Sequence, residues 1–371
     1  MNKKIIHIAL GKANPERPNG VNKVVNSLVS HQVCNGFNAE FWGISFSNKH
    51  NYPNRNYRTN LFMDQRLKFR LDKALEEAIN KLNPQKTIFH IHGAFIPQFY
   101  TLSRLLKKRK IPYFFTPHGG YNIKALKRSK WTKLIYTALF ERPLVNKAQG
   151  VQLLGASEFV GAKKHFTNSF SLIPNGQELN KEIPALKKEK KSILLGFIGR
   201  IDIETKGLDI LLNGIRKAAQ HNDIKLEIVG SGGEIASLKQ MVEKLGLNQH
   251  VTFKGAIYGD DKLTVISNWD ALCLTSRNEG IPGVVLEAAS VGVPSIVSKE
   301  TNMGKYVKNY ASGWVLEQNS PEYLFDAIQE LELSKTTGAY KNYKHAAQTM
   351  IRKEFDWNLI AKKLVAAYDK Q

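Results

Sequence analysis

Cysteine is scarce in this sequence: Cys34 and Cys273 are the only two among 371 residues. Thiols so far apart provide neither a disulfide framework nor the spacing of a metal site, which is typical of a protein from a reducing cytosol. Long apolar runs are also missing. The N-terminal run, residues 5–10, is too short for a signal peptide, and no segment approaches the roughly 20 apolar residues of a membrane span. We therefore expect a cytoplasmic protein without a transmembrane helix.

Two absent signatures argue against other classes of protein. Residues 11–20 follow the first apolar run but lack the G-x-G-x-x-G spacing of a dinucleotide-binding loop, which disfavours an NAD-dependent oxidoreductase. No recognition motif accompanies the pI of about 9.7, so we expect no nucleic-acid partner, although a basic nucleic-acid-binding protein would explain the charge.

Positive charge is concentrated in the first half of the chain. Residues 1–180 contain 28 Lys and Arg against 9 Asp and Glu, a net charge of +19, whereas the remainder contains 26 against 23, a net of +3. The asymmetry indicates an anionic partner for the first half, which a nucleic acid, an anionic membrane surface or a phosphorylated substrate would satisfy. A solvated basic face is the alternative.

Short apolar runs alternate with amphipathic stretches, and a polar segment, residues 177–191, separates two such series. The predicted strands are residues 5–10, 39–44, 87–92, 113–116, 151–154 and 169–173 in the first series and 192–198, 225–229, 251–253, 271–275, 295–298 and 314–316 in the second. This alternation predicts parallel sheets covered on both faces. We therefore predict an α/β protein of two Rossmann-like domains, 1–178 and 179–354, that face each other across a cleft.

Ligands of open α/β sheets bind beyond the carboxyl ends of the strands, so polar residues that follow the predicted strands are candidate site residues. One group consists of Gly199 and Arg200 after a strand and Lys206 before a helix. A glycine permits close approach of the backbone, and the two cations could hold a diphosphate. The alternative is that both cations pair with the neighbouring acids, Asp202 and Glu204.

A second candidate is the Gly/Pro loop of residues 276–288, which has a carboxylate on either side, Glu279 and Glu287. The glycines and a helix that begins near Val284 offer backbone amides to an anion. The carboxylates would accept hydrogen bonds from sugar hydroxyls, as an acidic residue does from ribose in dinucleotide sites. Either glutamate alone would pass for an ordinary surface acid.

Two loops of the first half are further candidates. Residues 113–120 predict a strand that runs into His118 and two glycines, an arrangement that leaves catalytic and structural roles open. Gly20 follows Pro18 and Asn19, a pattern that indicates a turn in the first place. The second interpretation is a loop that approaches a phosphate.

Taken together, these motifs resemble the retaining nucleotide-sugar glycosyltransferases of family 4, which have the GT-B fold. The hallmark segment of that family, E-G-x-P-x-x-x-L-E-A, is matched by residues 279–288 (EGIPGVVLEA). The other matching motifs are residues 90–93 (HIHG), 116–119 (TPHG), 173–176 (IPNG), 199–200 (GR), 206–207 (KG) and 229–232 (VGSG). The resemblance covers nearly the whole chain. It departs from the family where Asn19 precedes Gly20 in place of a second glycine, and after Ser298.

The resemblance implies a role for each candidate of the second half. Arg200 and Lys206 would hold the donor diphosphate and stabilise charge on the leaving group. Glu287 would bind the ribose, and Glu279 would hold hydroxyls of the donor sugar together with the backbone that follows it. The remaining expected donor-binding residues are Gly199, Gly280, Ile281, Pro282, Gly283 and Val284.

In the first half, the resemblance places His118 near the reacting face of the donor sugar, and Gly20 would bring its loop against the diphosphate. The donor would be a UDP- or GDP-linked sugar, and we expect no cofactor and no metal, since no Asp-x-Asp pair follows a predicted strand. The last amphipathic helix, residues 355–371, would return to pack on the first domain.

The resemblance also implies that the first domain, which carries the charge of +19, takes the acceptor. Residues 125–145 combine basic side chains with an apolar, aromatic-rich face, which is typical of a helix on an anionic bilayer. We therefore expect an enzyme at the inner face of the cell membrane that glycosylates a lipid-linked glycan of a bacterial surface polysaccharide. The alternatives are that residues 131–140 are simply core and that the acceptor is a small molecule. The acceptor-binding residues stay unknown.

Overall fold

The computed structural model describes residues 3–14, 20–47, 49, 54–65, 67–123, 126, 130–179 and 192–369, with backbone alone at 130, 131 and 260. They form two compact units: unit 1 is Met1–Gly176 with Trp357–Gln371, and unit 2 is Gln177–Asp356. The boundaries drawn from the sequence, after residue 178 and before residue 355, lie within two residues of these.

Unit 1 is built on a seven-stranded sheet in the order β3-β2-β1-β4-β5-β6-β7, in which all pairs are parallel. Its strands are β1 (Lys4–Leu10), β2 (Ala39–Ser45), β3 (Thr59–Met63), β4 (Thr87–His92), β5 (Tyr113–Thr116), β6 (Gly150–Leu153) and β7 (Phe170–Leu172). The order of the first six strands is that of a dinucleotide-binding sheet. The strand order reverses between β1 and β4, which remain parallel to each other.

Helices cover both faces of this sheet. They are Gly20–Cys34, Lys73–Asn80, Pro97–Lys108, Lys130–Tyr136, Arg142–Asn146, Ala156–His165 and Trp357–Asp369, with a 3-10 helix at Pro84–Lys86 and a π-helix at Thr137–Glu141. The helix Trp357–Asp369 buries Leu364 and Tyr368 in one cluster with Val25 and Phe41 of unit 1. The expectation that the last helix returns to the first domain is therefore confirmed.

Unit 2 repeats the same strand order in a six-stranded parallel sheet, β10-β9-β8-β11-β12-β13. Its strands are β8 (Ile193–Ile198), β9 (Ile224–Val229), β10 (Val251–Gly255), β11 (Ala271–Leu274), β12 (Ser295–Ser298) and β13 (Gly313–Leu316). Its helices are Ile203–Lys206, Leu208–Ala218, Ile235–Lys244, Gly259–Ile266, Gly283–Ser290, Gly304–Tyr310, Pro321–Thr336 and Tyr340–Met350, with a 3-10 helix at Lys299–Thr301 and a π-helix at Ile351–Phe355. The strand order reverses between β8 and β11.

The predicted fold class, two parallel-sheet α/β domains, is confirmed, and each of the twelve predicted strands is present. β3 was not predicted: it is an edge strand that pairs with β2, and only Phe62 of its residues is buried. Most of the expected linker, residues 180–191, lies outside the described residues. Within the part of the chain that the structure describes, no helix is both long and apolar enough to cross a membrane.

Candidate active site

The candidate residues of unit 2 follow the two strands between which its strand order reverses. β8 ends at Ile198, immediately before Gly199 and Arg200, and β11 ends at Leu274, shortly before Glu279. Because β8 and β11 are parallel neighbours, their carboxyl ends lie at one edge of the sheet. The structure thus places these loops at the position where doubly wound sheets bind ligands.

Lys206 and Glu279 form a charge pair at this edge. The ammonium nitrogen of Lys206 lies 2.5 Å from Oε1 of Glu279, and the two side chains are only 19% and 15% exposed. The Ser276 hydroxyl donates a hydrogen bond of 3.0 Å to the same oxygen. A largely buried, paired lysine is held in one place, as electrostatic stabilisation of a developing charge requires.

Arg200 has a different environment from Lys206. Its guanidinium lies 2.9 Å from Oδ2 of Asp202, and its side chain is 62% exposed. The pKa of Asp202 is lowered: burial would raise it, but hydrogen bonds from Thr205 and the charges of Arg200 and Lys206 outweigh that effect. The pairing of a cation with a neighbouring acid is therefore right for Arg200, whereas Lys206 pairs with Glu279 rather than with Glu204.

Direct contacts hold the two loops together at Gly207. This residue has a φ of +63°, and a Cβ atom there would lie 2.0 Å from the Thr275 carbonyl oxygen. The Thr275 hydroxyl donates a hydrogen bond of 2.8 Å to the Gly207 carbonyl. Next to it, the Arg277 guanidinium lies 2.6 Å from the Asp209 carboxylate, and the Arg277 amide donates to the Thr205 carbonyl. Only a glycine at position 207 permits this approach.

The loop after Glu279 packs its apolar side chains against unit 2. Ile281 and Val284 pack against the core of unit 2, and Pro282 is buried. The helix Gly283–Ser290 begins one residue earlier than expected. No heavy atom lies within 4 Å of the position that a Cβ atom would take on Gly280 or on Gly283. Open space therefore lies beside these two glycines at the helix N-terminus, the end of a helix whose amides suit an anion.

A segment that sequence reasoning did not assign positions this loop. The Asn302 side-chain amide donates to the carbonyl oxygens of Glu279 at 2.7 Å and Gly280 at 3.2 Å. The Glu279 amide donates to the Glu300 carbonyl at 3.1 Å. Asn302 adopts a left-handed backbone with a φ of 58°, which asparagine tolerates better than most residues. The residues after Ser298, where the chain departs from the family pattern, thus support the site.

Glu287 forms an ion pair with Lys262, which lies on the helix Gly259–Ile266. The carboxylate side chain is 13% exposed. Nothing in the local sequence around Lys262 signals this contact, because the partners lie on different helices. The structure thus places both predicted glutamates in ion pairs with lysine.

In unit 1, His118 follows β5 in a strained loop. Its φ of +51° lies in the left-handed region, which is uncommon for residues other than glycine. Its Nε2 atom lies 2.9 Å from Nδ1 of His92. The buried Glu158 carboxylate accepts hydrogen bonds from the amides of Leu154 and Tyr121, which fixes the end of this loop. Glu158 was not predicted, since one glutamate in a helix carries no distinctive pattern.

Gly20 is the first residue of the helix Gly20–Cys34, and a Cβ atom on it would meet no heavy atom of the described residues within 4 Å. Pro18 and Asn19, which precede it, lie outside the described residues. Its contact with a diphosphate, like the other assigned ligand contacts, stays a prediction.

The sequence of unit 2 matches a known protein family. The family model described as "Glycosyl transferases group 1" matches residues 179–350, nearly all of unit 2. An uncharacterized glycosyltransferase of Haemophilus influenzae is 28% identical over 266 residues, 71% of each chain. A GDP-mannose-dependent alpha-(1-6)-phosphatidylinositol monomannoside mannosyltransferase of Mycobacterium tuberculosis is 25% identical over 170 residues, 44% of each chain. The chain spans less than half the length of several of the curated relatives that it matches.

Among solved structures, the chain is similar to Anabaena Alr3699/HepE in complex with UDP, with a TM-score of 0.74 and 16% identity. That similarity covers 99% of this chain and 100% of the other, and it concerns the fold. The parallel sheets, their shared strand order and the family match agree. Residues 179–350 therefore match the glycosyl transferases group 1, and the two units have the GT-B fold of known glycosyltransferase structures.

Proposed function

We propose that this protein is a retaining enzyme that moves a hexose-type sugar from a UDP- or GDP-linked donor to a lipid-linked glycan. We place it in the synthesis of a bacterial surface polysaccharide such as a capsule, an O-antigen or an exopolysaccharide. The observation that carries the donor half of this proposal is the Lys206–Glu279 pair, which lies where the strand order of unit 2 reverses. The similarity to a protein whose structure holds UDP supports the same half.

The chemistry follows from where the charges lie. As the bond between sugar and diphosphate breaks, negative charge grows on the leaving diphosphate. Lys206, Arg200 and the backbone amides at the start of the helix Gly283–Ser290 would stabilise that charge. Glu279 holds Lys206 in position and would accept hydrogen bonds from sugar hydroxyls, and Glu287 would do so from ribose. Since protein cations supply the positive charge, we propose that transfer needs no divalent metal.

We expect UDP or GDP, but neither NAD nor a DNA oligomer, to raise the melting temperature. A ligand at about 100 times its Kd adds about 2.7 kcal/mol of stability, which corresponds to roughly 5–10 °C for a unit of this size. A panel of nucleotide sugars, assayed with EDTA for nucleotide release, then identifies the donor. NMR of the product compares its anomeric configuration with that of the donor. Stabilisation by NAD or DNA alone would contradict the donor assignment, and an inverted product would contradict retention.

The acceptor half of the proposal rests on an exposed apolar strip of unit 1, formed by Leu134, Ile135 and Leu139. These side chains are 46%, 61% and 57% exposed, so this segment is not simply core. Phe140, at its end, packs its ring 4.7 Å from that of Phe69, which is itself partly exposed. Lys127 and Arg128, which belong to the expected basic face, lie outside the described residues, as do the side chains of Lys130 and Trp131.

A strip of this kind beside basic residues suits the surface of an anionic bilayer, because apolar burial and electrostatic attraction add. The mycobacterial relative, named for a phosphatidylinositol acceptor, supports a lipid-linked acceptor. We therefore propose that the enzyme lies on the cytoplasmic face of the cell membrane and meets its acceptor there.

The double variant Ile135→Asp/Leu139→Asp should bind anionic vesicles at least roughly tenfold more weakly than the wild type, because each substitution removes about 1.5–3 kcal/mol of apolar burial and adds a repelled charge. Co-sedimentation with vesicles, with and without anionic lipid, measures this. The matched control is Leu333→Asp, since Leu333 is 62% exposed but lies in unit 2. Wild-type protein that stays in the supernatant at every salt concentration would contradict the membrane proposal and favour a small-molecule acceptor.

A further inference from the structure

Four histidines of unit 1 form one cluster, which consists of His118 and three buried histidines on neighbouring strands. His7 lies on β1, His90 and His92 lie on β4, and all three are at most 1% exposed, whereas His118 is half-buried. The ring centroids of His90 and His92 are 4.1 Å apart, and those of His7 and His92 are 5.2 Å apart. Burial lowers the pKa of each, to about 4 for His7 and His118, so all four rings are neutral near pH 7. A neutral imidazole has one donor nitrogen and one acceptor nitrogen.

One set of hydrogen bonds starts at a group that can only accept, the Ile173 carbonyl oxygen. The Gln152 amide donates to it at 2.9 Å, and the Gln152 carbonyl oxygen accepts from the Thr116 hydroxyl at 2.8 Å. The Thr116 oxygen therefore accepts from Nε2 of His90 at 2.7 Å. His90 Nδ1 must then accept from the Tyr368 hydroxyl at 2.6 Å. Every donor in this set has its direction fixed by the backbone carbonyl.

Gln32 connects this set to the other histidines. The Tyr368 hydrogen is committed to His90, so the Tyr368 oxygen has lone pairs to offer to a donor. The Gln32 side chain lies beside this hydroxyl and offsets part of the rise in the Tyr368 pKa that burial causes. Among the described residues, Gln32 Nε2 makes no hydrogen bond, so the orientation of this amide follows from the Tyr368 lone pairs beside it rather than from a hydrogen bond. With its nitrogen towards Tyr368, Gln32 presents its oxygen to His7.

The remaining hydrogen bonds run from Gln32 to the loop. Gln32 Oε1 lies 2.7 Å from Nε2 of His7, which must donate. His7 Nδ1 is then an acceptor, 2.9 Å from Nε2 of His92. By the same logic, His92 Nδ1 accepts from Nε2 of His118 at 2.9 Å. Within the described residues, Nδ1 of His118 is the one nitrogen of this relay left without a hydrogen-bond partner, and it carries a lone pair.

A metal ion is the competing interpretation of three clustered histidines, since nitrogens of His7, His90 and His92 lie within 4.8 Å of one another. Both nitrogens of each ring, however, already lie at hydrogen-bond distance from another group. A pattern of neutral tautomers satisfies all of them, so these hydrogen bonds need no metal.

We infer that Gln32, His7 and His92 are positioning residues that hold His118 as the Nε2–H tautomer, with Nδ1 presented as a hydrogen-bond acceptor. His118 would then accept from a hydroxyl of a bound sugar rather than donate to it. The catalytic meaning of this relay rests on the proposed function, whereas the tautomer itself does not.

The wild-type enzyme provides the first test. Protein labelled with 15N-histidine is measured by NMR, with each ring assigned by its loss in the corresponding His→Asn variant. We expect a pyrrole-type Nε2 and a pyridine-type Nδ1 for His118, and the same for His7 and His92. A protonated Nδ1 on His118 would overturn the inference without any assay of activity.

Variants of Gln32 provide the second test. Gln32→Met removes the acceptor in front of His7, so His118 should show both tautomers, and kcat/KM should fall in proportion to the Nε2–H tautomer that is lost, by roughly two- to tenfold. Gln32→Glu keeps an acceptor there and should keep the wild-type tautomer, and it still tests the inference if Gln32→Met fails to fold. The matched control is Gln98→Met, which removes a buried glutamine of unit 1 that donates instead to Asp64.

A His118 spectrum in Gln32→Met that equals the wild-type spectrum overturns the relay. If the tautomer shifts but transfer continues at the normal rate, the relay stands and the proposed role of His118 is wrong. If no nucleotide sugar is turned over while the wild-type tautomer is as inferred, the proposed function fails and the relay stands.

Discussion

Replacing Lys206 by alanine should lower kcat/KM for sugar transfer by roughly 100- to 1,000-fold, the loss seen when one preorganised group that stabilises developing charge is removed. Lys206 is held 2.5 Å from Glu279 and is largely buried, so its charge is weakly screened and fixed in direction. Water that enters the space left by the Lys206 side chain would have to reorganise around the leaving group, which costs free energy that the fixed lysine charge does not. Nucleotide release from the identified donor measures the effect.

Lys217→Ala is the matched control for this result. Lys217 also pairs with a glutamate of unit 2, Glu322, at 2.7 Å, but both side chains are about half exposed. Exposed pairs contribute little, so this variant should keep activity within about twofold of the wild type. Circular dichroism establishes that both variants are folded. Near-normal turnover by a folded Lys206→Ala protein, together with a folded and active Glu279→Ala protein, would refute the site.

Most of the fold could be predicted because parallel strands that are buried on both faces consist of continuous apolar residues. β1, β4, β8 and β11 follow this rule, and the loops after them hold the candidate residues. β3 was not predicted because it is an edge strand that buries only Phe62, and its apolar run, residues 61–63, is only three residues long. A strand of this kind is specified by its neighbour in the sheet rather than by its own composition.

The site was predictable where one short segment carries it and not where distant segments meet. Glu279 and Glu287 belong to a single motif, but their partners Lys206 and Lys262 come from other elements. The Asn302 side-chain amide donates a hydrogen bond to the backbone of the loop, at Glu279. No motif or spacing in the sequence predicts this contact. For Arg200 the neighbouring acid, Asp202, was the right partner, since local pairing suffices for an exposed cation.

Gly207→Ala should strongly destabilise unit 2, with a free energy of unfolding lower by roughly 3 kcal/mol and a melting temperature lower by roughly 6–12 °C. Two effects add. An alanine at a φ of +63° costs about 1–2 kcal/mol, and its Cβ atom would lie 2.0 Å from the Thr275 carbonyl oxygen, which belongs to the backbone and cannot swing aside. The strand β11 or the helix after Gly207 must shift to make room.

Gly246→Ala separates these two effects. Gly246 also lies in unit 2 with a positive φ of +71°, but no heavy atom lies within 4 Å of its Cβ position. It therefore incurs the conformational cost alone, about 1–2 kcal/mol, and should melt only a few degrees below the wild type. Differential scanning calorimetry measures both variants. The excess loss in Gly207→Ala measures how firmly the loop that carries Lys206 is seated against β11. Equal melting temperatures for the two variants would mean that the loop can move away from Thr275 at no cost in stability. The contact at Gly207 would then not hold Lys206 in position.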